Sequence, residues 1–485
     1  MRYFADLAFQ YIDGQWCSGD GSWDVIDVNP YDGEKLASIT VATAGQIDRA
    51  YRAAERAQPA WAAAGPSTRG AVLERAAELL EARAEELTGV LVAELGGTRV
   101  RAALELQLAV ECLREAGRLA PRAEGRIVPA PAGGGETRVH REPVGTVCVI
   151  SSFTCPLLLS LRPTAAALAL GNAVVLKPHH SSPVSGGTLV AALLAEAGLP
   201  PGLLNVVVTD IAEVGDALIE HPVPRVVSFT GSPRTGSRVA AVAAARLKRT
   251  VLETGHGGAL VVLDDADVDL AVDAAVFSRF IDQGQMCMAP SRILVDRAVL
   301  EEFTGKFTAR AAELTVGDPA DPATRIGPMI TPGLAESATA AVEQAVREGA
   351  TALLRGETRG SLVPPAVLTD IPEGAAILSQ EVHGPVALVL PFDGEEEAVR
   401  KANEVPCALS AAVHTADVER GIRLAHRIDA GMVHVNGATV EGAPVTTLGG
   451  ERHPGPGRPN EEAVLDAFTT LAWVTVRHGH GPFPL

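Results

Sequence analysis

The chain has 485 residues, 47% hydrophobic and 21% charged, which is too long for one ordinary domain and balanced like a globular protein with a sizeable core. A formal net charge of −18 disfavours nucleic acid and anionic membrane as general partners. No uninterrupted apolar run reaches the roughly 18 residues of a membrane span, and the opening MRYFADLAFQYIDGQW lacks the basic-then-apolar order of a secretory signal, so a cytoplasmic location is expected.

Along the chain, the first third reads as mostly helical. Ala, Leu and Glu recur at helical spacing from Gln46 to Ala64 and from Ser67 to Leu95, with Pro66 separating the two and Ser67 placed to cap the second. Gly96 and Gly97 end that stretch, and a third helix is expected from Arg101 to Ala120. Residues 121–143 are rich in Pro, Gly and charge and read as a long loop or hairpin outside the core, or equally as a flexible linker. From Val144 onward, β-branched runs alternate with helical windows. VGTVCVI (144–150), NAVVLKP (172–178), LLNVVV (203–208), RVVSFT (225–230) and RTVLET (249–254) predict a parallel sheet covered on both faces. A second alternation runs from GALVVLDD (258–265) through RILVD (292–296) and VALVLPF (386–392) to AGMVHVN (430–436), predicting a second α/β unit.

Six cysteines are scattered at 17, 112, 148, 155, 287 and 407, without a CxxC pair, so neither a disulfide framework nor a zinc ribbon is suggested and most are expected to be buried thiols. Cys287 differs in its surroundings: it follows the polar turn QGQM (283–286), where a thiolate would be a nucleophile. Glu253 ends a predicted buried strand and is the nearest general base by context; a structural ion pair is the plainer account of it. Ser232 and the glycines of FTGSPRTG (229–236) fall at a strand-to-helix turn, where backbone N–H groups can hold a phosphate, although such loops are common. Lys177 ends the strand of NAVVLKP, and the carboxyl ends of parallel strands are where nucleotides bind; a solvent-facing lysine is the alternative. His179 and His180 follow it with no second ligand cluster, so no metal is expected.

At this point the chain resembles the aldehyde dehydrogenase superfamily over nearly its whole length. The resemblance is carried, in order, by VNPYDGEKLASI (28–39), ALALGNAVVLKP (167–178), FTGSPRTG, VLETG (251–255), QGQMC (283–287), GDPADPATRIGPMI (317–330), QEVHGPV (380–386) and GMVHVN (431–436). It is most similar to the benzaldehyde and vanillin dehydrogenase branch. The resemblance implies an α/β fold of two Rossmann-like parallel-sheet domains with a small β oligomerisation arm. The NAD(P)-binding domain is expected at 1–120 and 144–255, the catalytic domain at 256–453, and the arm and tail at 121–143 and 454–485, with the final RHGHGPFPL flexible. A homodimer or homotetramer is expected.

The same resemblance assigns roles. Cys287 matches the nucleophile and Glu253 the general base, acting on an aldehyde through a thiohemiacetal and a thioester. Lys177 matches the adenosine-ribose lysine, Ser232 the pyrophosphate serine, and Glu381 the nicotinamide-ribose glutamate. Gly231 and Gly236 fit the close turn, and Gly255 lies beside the nicotinamide. Thr154, within SFTCP (152–156), replaces an oxyanion-donating asparagine; a hydroxyl can also donate. Phe153, Cys155 and Arg162 fall on the substrate tunnel, where Cys155 opens space and Arg162 either offers a partner for a substrate carboxylate or phenolate or is a structural residue of that branch. His180 stands where NAD-preferring members often carry a glutamate, so NAD and NADP both remain open. His383 replaces a phenylalanine near the nicotinamide. The family's LELGG is altered to LETGH (252–256), and its later glycine motif to GGERHPGPGR (449–458). An aromatic or hydrophobic aldehyde is the expected substrate. The rivals are a cofactor- or partner-binding relative that has lost turnover, motivated by Thr154 and His256, and an acylating enzyme using coenzyme A, against which Glu253 argues.

Overall fold

The computed structural model describes residues 2–129, 135–255, 257–405, 408–441 and 461–477. His256, Cys407, the 449–458 motif and the 478–485 tail lie outside the described residues.

Two seven-stranded sheets dominate. In the first, the parallel strands Arg249–Thr254, Val226–Gly231, Thr146–Ile150, Ala173–Lys177 and Leu204–Val206 lie side by side in that order. Their apolar runs are continuous because helices cover both faces; Val174, Val175 and Leu176 have no exposed surface. The sheet is completed by an antiparallel hairpin, Gln10–Ile12 with Gln15–Cys17. Sequence reading passed over this hairpin, although Asp13-Gly14 between two strand-like runs is a strong turn signal. Both turn residues have positive φ, 53° and 77°. In the second sheet, Ala366–Thr369, Val386–Phe392, Arg292–Asp296, Ala259–Val262, Ser410–His414 and Met432–Val435 run parallel, with Thr351–Leu354 antiparallel at one edge.

The helix Ala44–Ala63 opens with a capping box in which Thr43 accepts from Gln46 N and the Gln46 side chain returns to the Thr43 N–H. The expected helix from Ser67 to Leu95 is two helices, Pro66–Ala82 and Ala84–Leu95, broken at Arg83. Ser67 does not cap the first of them, because the helix already begins at Pro66 and its cap position is Gly65. Gly96 terminates the second in the left-handed conformation, φ 69°. Of the readings open for 121–143, the hairpin is the one found: Arg126–Pro129 and Gly135–Pro143 pair antiparallel, and Thr469–Arg477 adds to the second of them. This three-stranded sheet leaves Ile127, Leu471 and Trp473 largely exposed, Trp473 by 74%.

The strand order reverses direction at Thr146–Ile150. Its chain runs through the helix Pro156–Ala169 to the strand on one side, while Val226–Gly231 lies on the other. A crevice opens outside the carboxyl ends of strands at such a switch point.

Fully buried Asn172 ties these parts together. Its Oδ1 accepts from Gly145 N at 2.9 Å, and its Nδ2 donates to Ala167 O and Phe468 O, both at 3.0 Å. Asn172→Ala removes three hydrogen bonds and leaves Gly145 N without its acceptor, while Ala167 O keeps the Asn172 N–H and Phe468 O the Val144 N–H; the unpaired group costs about 1–3 kcal/mol. The variant is expected to show a clearly lower calorimetric Tm, and an unchanged Tm would contradict this role.

Candidate active site

Local backbone geometry builds the site from both sheets. After the helix Val268–Phe280, the chain passes through three successive positive φ values, at Asp282 (53°), Gln283 (56°) and Gly284 (71°), before reaching Cys287. At Gly284 a Cβ would lie 2.2 Å from Gly384 O, so only glycine fits. Asp282 and Gln283 hold an unfavourable conformation because buried bonds fix them. Arg101 Nε forms an ion pair with Asp282 Oδ1 at 2.9 Å, and Arg101 Nη1 pairs with Glu105. Glu105 Oε1 in turn accepts from Leu158 N at 3.2 Å, at the start of the Pro156–Ala169 helix. Gln283 Nε2 donates to Pro328 O (2.8 Å) and Gly96 O (3.1 Å), and Arg279 to Gly284 O (2.7 Å) and Gly384 O (2.8 Å). Burial pushes the Glu105 and Asp282 carboxyls up, and the Arg101 charge opposes it. Sequence reading missed this triad, because its members are separated in the chain and each looks like an ordinary helix or turn residue.

The crevice is a cavity of about 780 Å³ that Cys287, Glu253, Thr154, Lys177, Glu381 and His383 all line. That volume lies in the range of small-molecule and cofactor sites. Phe153, Cys155, Arg162, His180, Gly231, Ser232 and Gly255 line it as well. Gly236 stands just behind, where an added Cβ would meet Thr254 Cγ2 at 2.5 Å; this packs the helix Pro233–Ala244 close against its sheet. Ser232 caps that helix, its Oγ accepting from Thr235 N at 3.4 Å.

Cys287 is partly exposed to the cavity. Burial of its sulfur pushes the thiol up to about 11; the Arg162 charge opposes this, whereas Glu253 and Glu381 add to it. Glu253 lies at the carboxyl end of its strand. Its Oε2 accepts from Arg162 Nη2 and, at 3.4 Å, from Thr230 Oγ1. The partner of Arg162 is therefore a protein carboxylate, where a substrate anion was expected. Thr154 Oγ1 donates to Gln285 O at 3.3 Å, so its single proton is directed at a backbone carbonyl and not into the cavity. Cys155, in the left-handed conformation (φ 41°), packs its sulfur 3.6 Å from Met286 Sδ.

An aromatic series runs along the same wall. His180 stacks on His179 with centroids 4.2 Å apart, His179 meets Phe153 edge-on at 5.3 Å, and Phe153 meets His383 at 6.4 Å. Burial lowers all three imidazoles, His179 to about 3, so they are neutral at neutral pH. His383 Nε2 lies 3.3 Å from Glu381 Oε1. Burial also lowers the Lys177 ammonium, with Asp210 opposing. Among the described residues, no three His, Cys, Asp or Glu side chains group to hold a metal ion.

Paired parallel sheets, a strand-end crevice and a cysteine facing a carboxylate are the plan of a nucleotide-dependent oxidoreductase. The chain belongs to the aldehyde dehydrogenase family, whose model matches residues 16–474. It is 44% identical to benzaldehyde dehydrogenase YfmT of Bacillus subtilis over 484 residues, covering all of both chains. The crystal structure of an NAD-dependent benzaldehyde dehydrogenase from Corynebacterium glutamicum superposes with a TM-score of 0.89 at 38% identity, covering 98% of this chain and 99% of that one. A salicylaldehyde dehydrogenase from Pseudomonas putida G7, solved with salicylaldehyde, gives 0.94 at 33% identity, covering 98% and 99%. The aldehyde dehydrogenase fold expected from sequence is the fold found.

Two outcomes follow from the buried charges. Arg101→Met leaves two interior carboxyls without their cation, so it should cost about 3–5 kcal/mol and lower both Tm and turnover; wild-type values for both would contradict the bracing role. His179 takes its proton near pH 6.5 when unfolded but only near about 3 when folded. The unfolded state therefore binds more protons between those values, and stability falls as pH falls through that window. His179→Gln should flatten the decline of Tm with acidification.

Proposed function

We propose that the chain oxidises an aromatic or hydrophobic aldehyde to its carboxylic acid, with NAD or NADP as oxidant. The observation that carries this reading is the lining of one cavity by Cys287 and Glu253, drawn from two different sheets. The apolar wall around Cys155, Leu158, Leu159, Met286 and Val440 suits a ring, and the relatives above are described as acting on benzaldehyde and salicylaldehyde.

The residues present fit a dinucleotide. Gly231 keeps the turn close to Phe229, where an added Cβ would lie 2.6 Å from Phe229 Cζ, and the Pro233–Ala244 helix begins beside it with its N-terminus at the cavity. Lys177 and Glu381 would hold the two riboses, and Ser232 the pyrophosphate. His180 brings no carboxylate to repel a 2′-phosphate, so both cofactors are accepted. The bound nicotinamide supplies a hydride acceptor. The Cys287 thiolate bonds to the aldehyde carbon, and the carbonyl π electrons move to oxygen. Loss of hydride from that carbon restores the C=O as a thioester. Glu253 takes a proton from water, the resulting hydroxide bonds to the carbonyl carbon, and the C–S bond breaks to return the thiolate. With Thr154 engaged by Gln285, the backbone N–H of Cys287 serves the oxyanion.

The division into a cofactor unit at 1–120 and 144–255 and a catalytic unit at 256–453 follows the two sheets. The 126–143 hairpin with Thr469–Arg477 forms the oligomerisation arm, its exposed Leu471 and Trp473 covered by another copy in a dimer or tetramer. No helix among the described residues is long and apolar enough to cross a membrane.

The test is a panel of benzaldehyde, hydroxybenzaldehydes and aliphatic aldehydes with each cofactor. Reduced cofactor and free acid should form without added thiol. Cofactor binding with no turnover across the panel would favour the impaired relative instead. Cys287→Ala should abolish oxidation and leave cofactor binding measurable, whereas Thr154→Asn should maintain or raise kcat by adding a donor.

A further inference from the structure

Around Cys287, the cavity gathers Glu253 and Glu381 beside the cation of Arg162. Arg162 rises from the helix Pro156–Ala169 with its side chain only 18% exposed, and its Nη2 donates to Glu253 Oε2. Its Nε is buried without an acceptor, so Glu253 is the partner that holds the guanidinium. Cys287 faces it from the turn before Arg292–Asp296, and Glu381 from the loop before Val386–Phe392. Other ionisable neighbours are Cys155 beside Cys287, Cys112 of the helix Arg99–Leu119 beside Arg162 and Glu253, Glu115 of that same helix, and the neutral His383. Of the charges acting on the Cys287 sulfur, Glu253 and Glu381 oppose a negative sulfur and Arg162 favours it. The proposed reaction needs a thiolate and a carboxylate in this one enclosure, and like charges in a poorly solvated site exclude one another unless a cation intervenes.

We propose that Arg162 is a positioning residue whose guanidinium neutralises Glu253, so that a carboxylate and a thiolate can occupy one cavity. The inference rests on the reading of Cys287 as nucleophile and Glu253 as base. Arg162 makes and breaks no covalent bond. It holds the carboxylate against Thr230 and offsets its charge at the sulfur. An arginine at this position therefore does its work on the protein's own acid before any substrate arrives.

The experiment measures alkylation of Cys287 by iodoacetamide in the full-length chain, read by mass spectrometry of the Cys287 peptide between pH 7 and 10. In Arg162→Gln the pH–rate profile should move up by about one pH unit, which reads as alkylation about tenfold slower at pH 8. Arg162→Lys keeps the charge and should restore most of the rate. Glu253→Gln should alkylate faster than wild type, and the double variant R162Q/E253Q should fall back toward wild type. An R162Q profile that overlays wild type overturns the proposal. Should R162Q not fold, equal rates for E253Q and R162Q/E253Q overturn it as well. Alkylation of Cys287 that leaves turnover intact would sink the nucleophile assignment separately, whatever the profiles show.

Discussion

Arg101 Nε reaches Asp282 across 2.9 Å, and this bond joins the helical layer of the first sheet to the turn that presents Cys287. Cys287, in the turn before Arg292–Asp296 of the second sheet, and Glu253, on the first sheet, line one cavity, so their relation depends on whatever fixes one sheet unit against the other. The Arg101–Glu105–Asp282 cluster does so in a place closed to water, where its three side chains are at most 4% exposed. Glu105 extends the brace by accepting from Leu158 N, which anchors the start of the helix that carries Arg162. One cluster therefore positions the thiol directly and the cation of the site indirectly. Buried ion pairs add little net stability over an apolar replacement, yet they are costly to break, which suits a joint whose geometry must not drift.

Charge balance is the second organising feature. The chain is strongly acidic, and the cavity draws Glu253 and Glu381 toward a sulfur that must become negative. The cavity's imidazoles stay neutral, because burial lowers His179, His180 and His383 together. They contribute flat surface in place of charge, in series with Phe153. Arg162 is thus the cation paired with Glu253 beside Cys287, while Lys177 stands at the carboxyl end of its strand.

Much of the fold could be read in advance. Strands buried on both faces show as continuous apolar runs, so the alternation from Val144 onward declared two parallel sheets. Boundaries were less legible where packing overrode local preference, as at Arg83, whose helix break carries no glycine or proline; the hairpin at 10–17, by contrast, carried its signal locally in Asp13-Gly14. The pairing of residues 135–143 with 469–477 joins segments more than 300 residues apart, which no local pattern records.

The sequence by itself determined the family plan, the strand-end positions of Lys177, Ser232 and Glu253, and the setting of Cys287 in a polar turn, because motif spacing and apolar periodicity are properties of the chain read locally. Only the tertiary structure decided who partners whom. It turned the Thr154 hydroxyl to Gln285 O, paired Arg162 with Glu253, and set Arg101 beneath the nucleophile turn. Hydrogen bonds and charges act over a few ångströms through space, and distance along the chain does not report which side chains come within that reach.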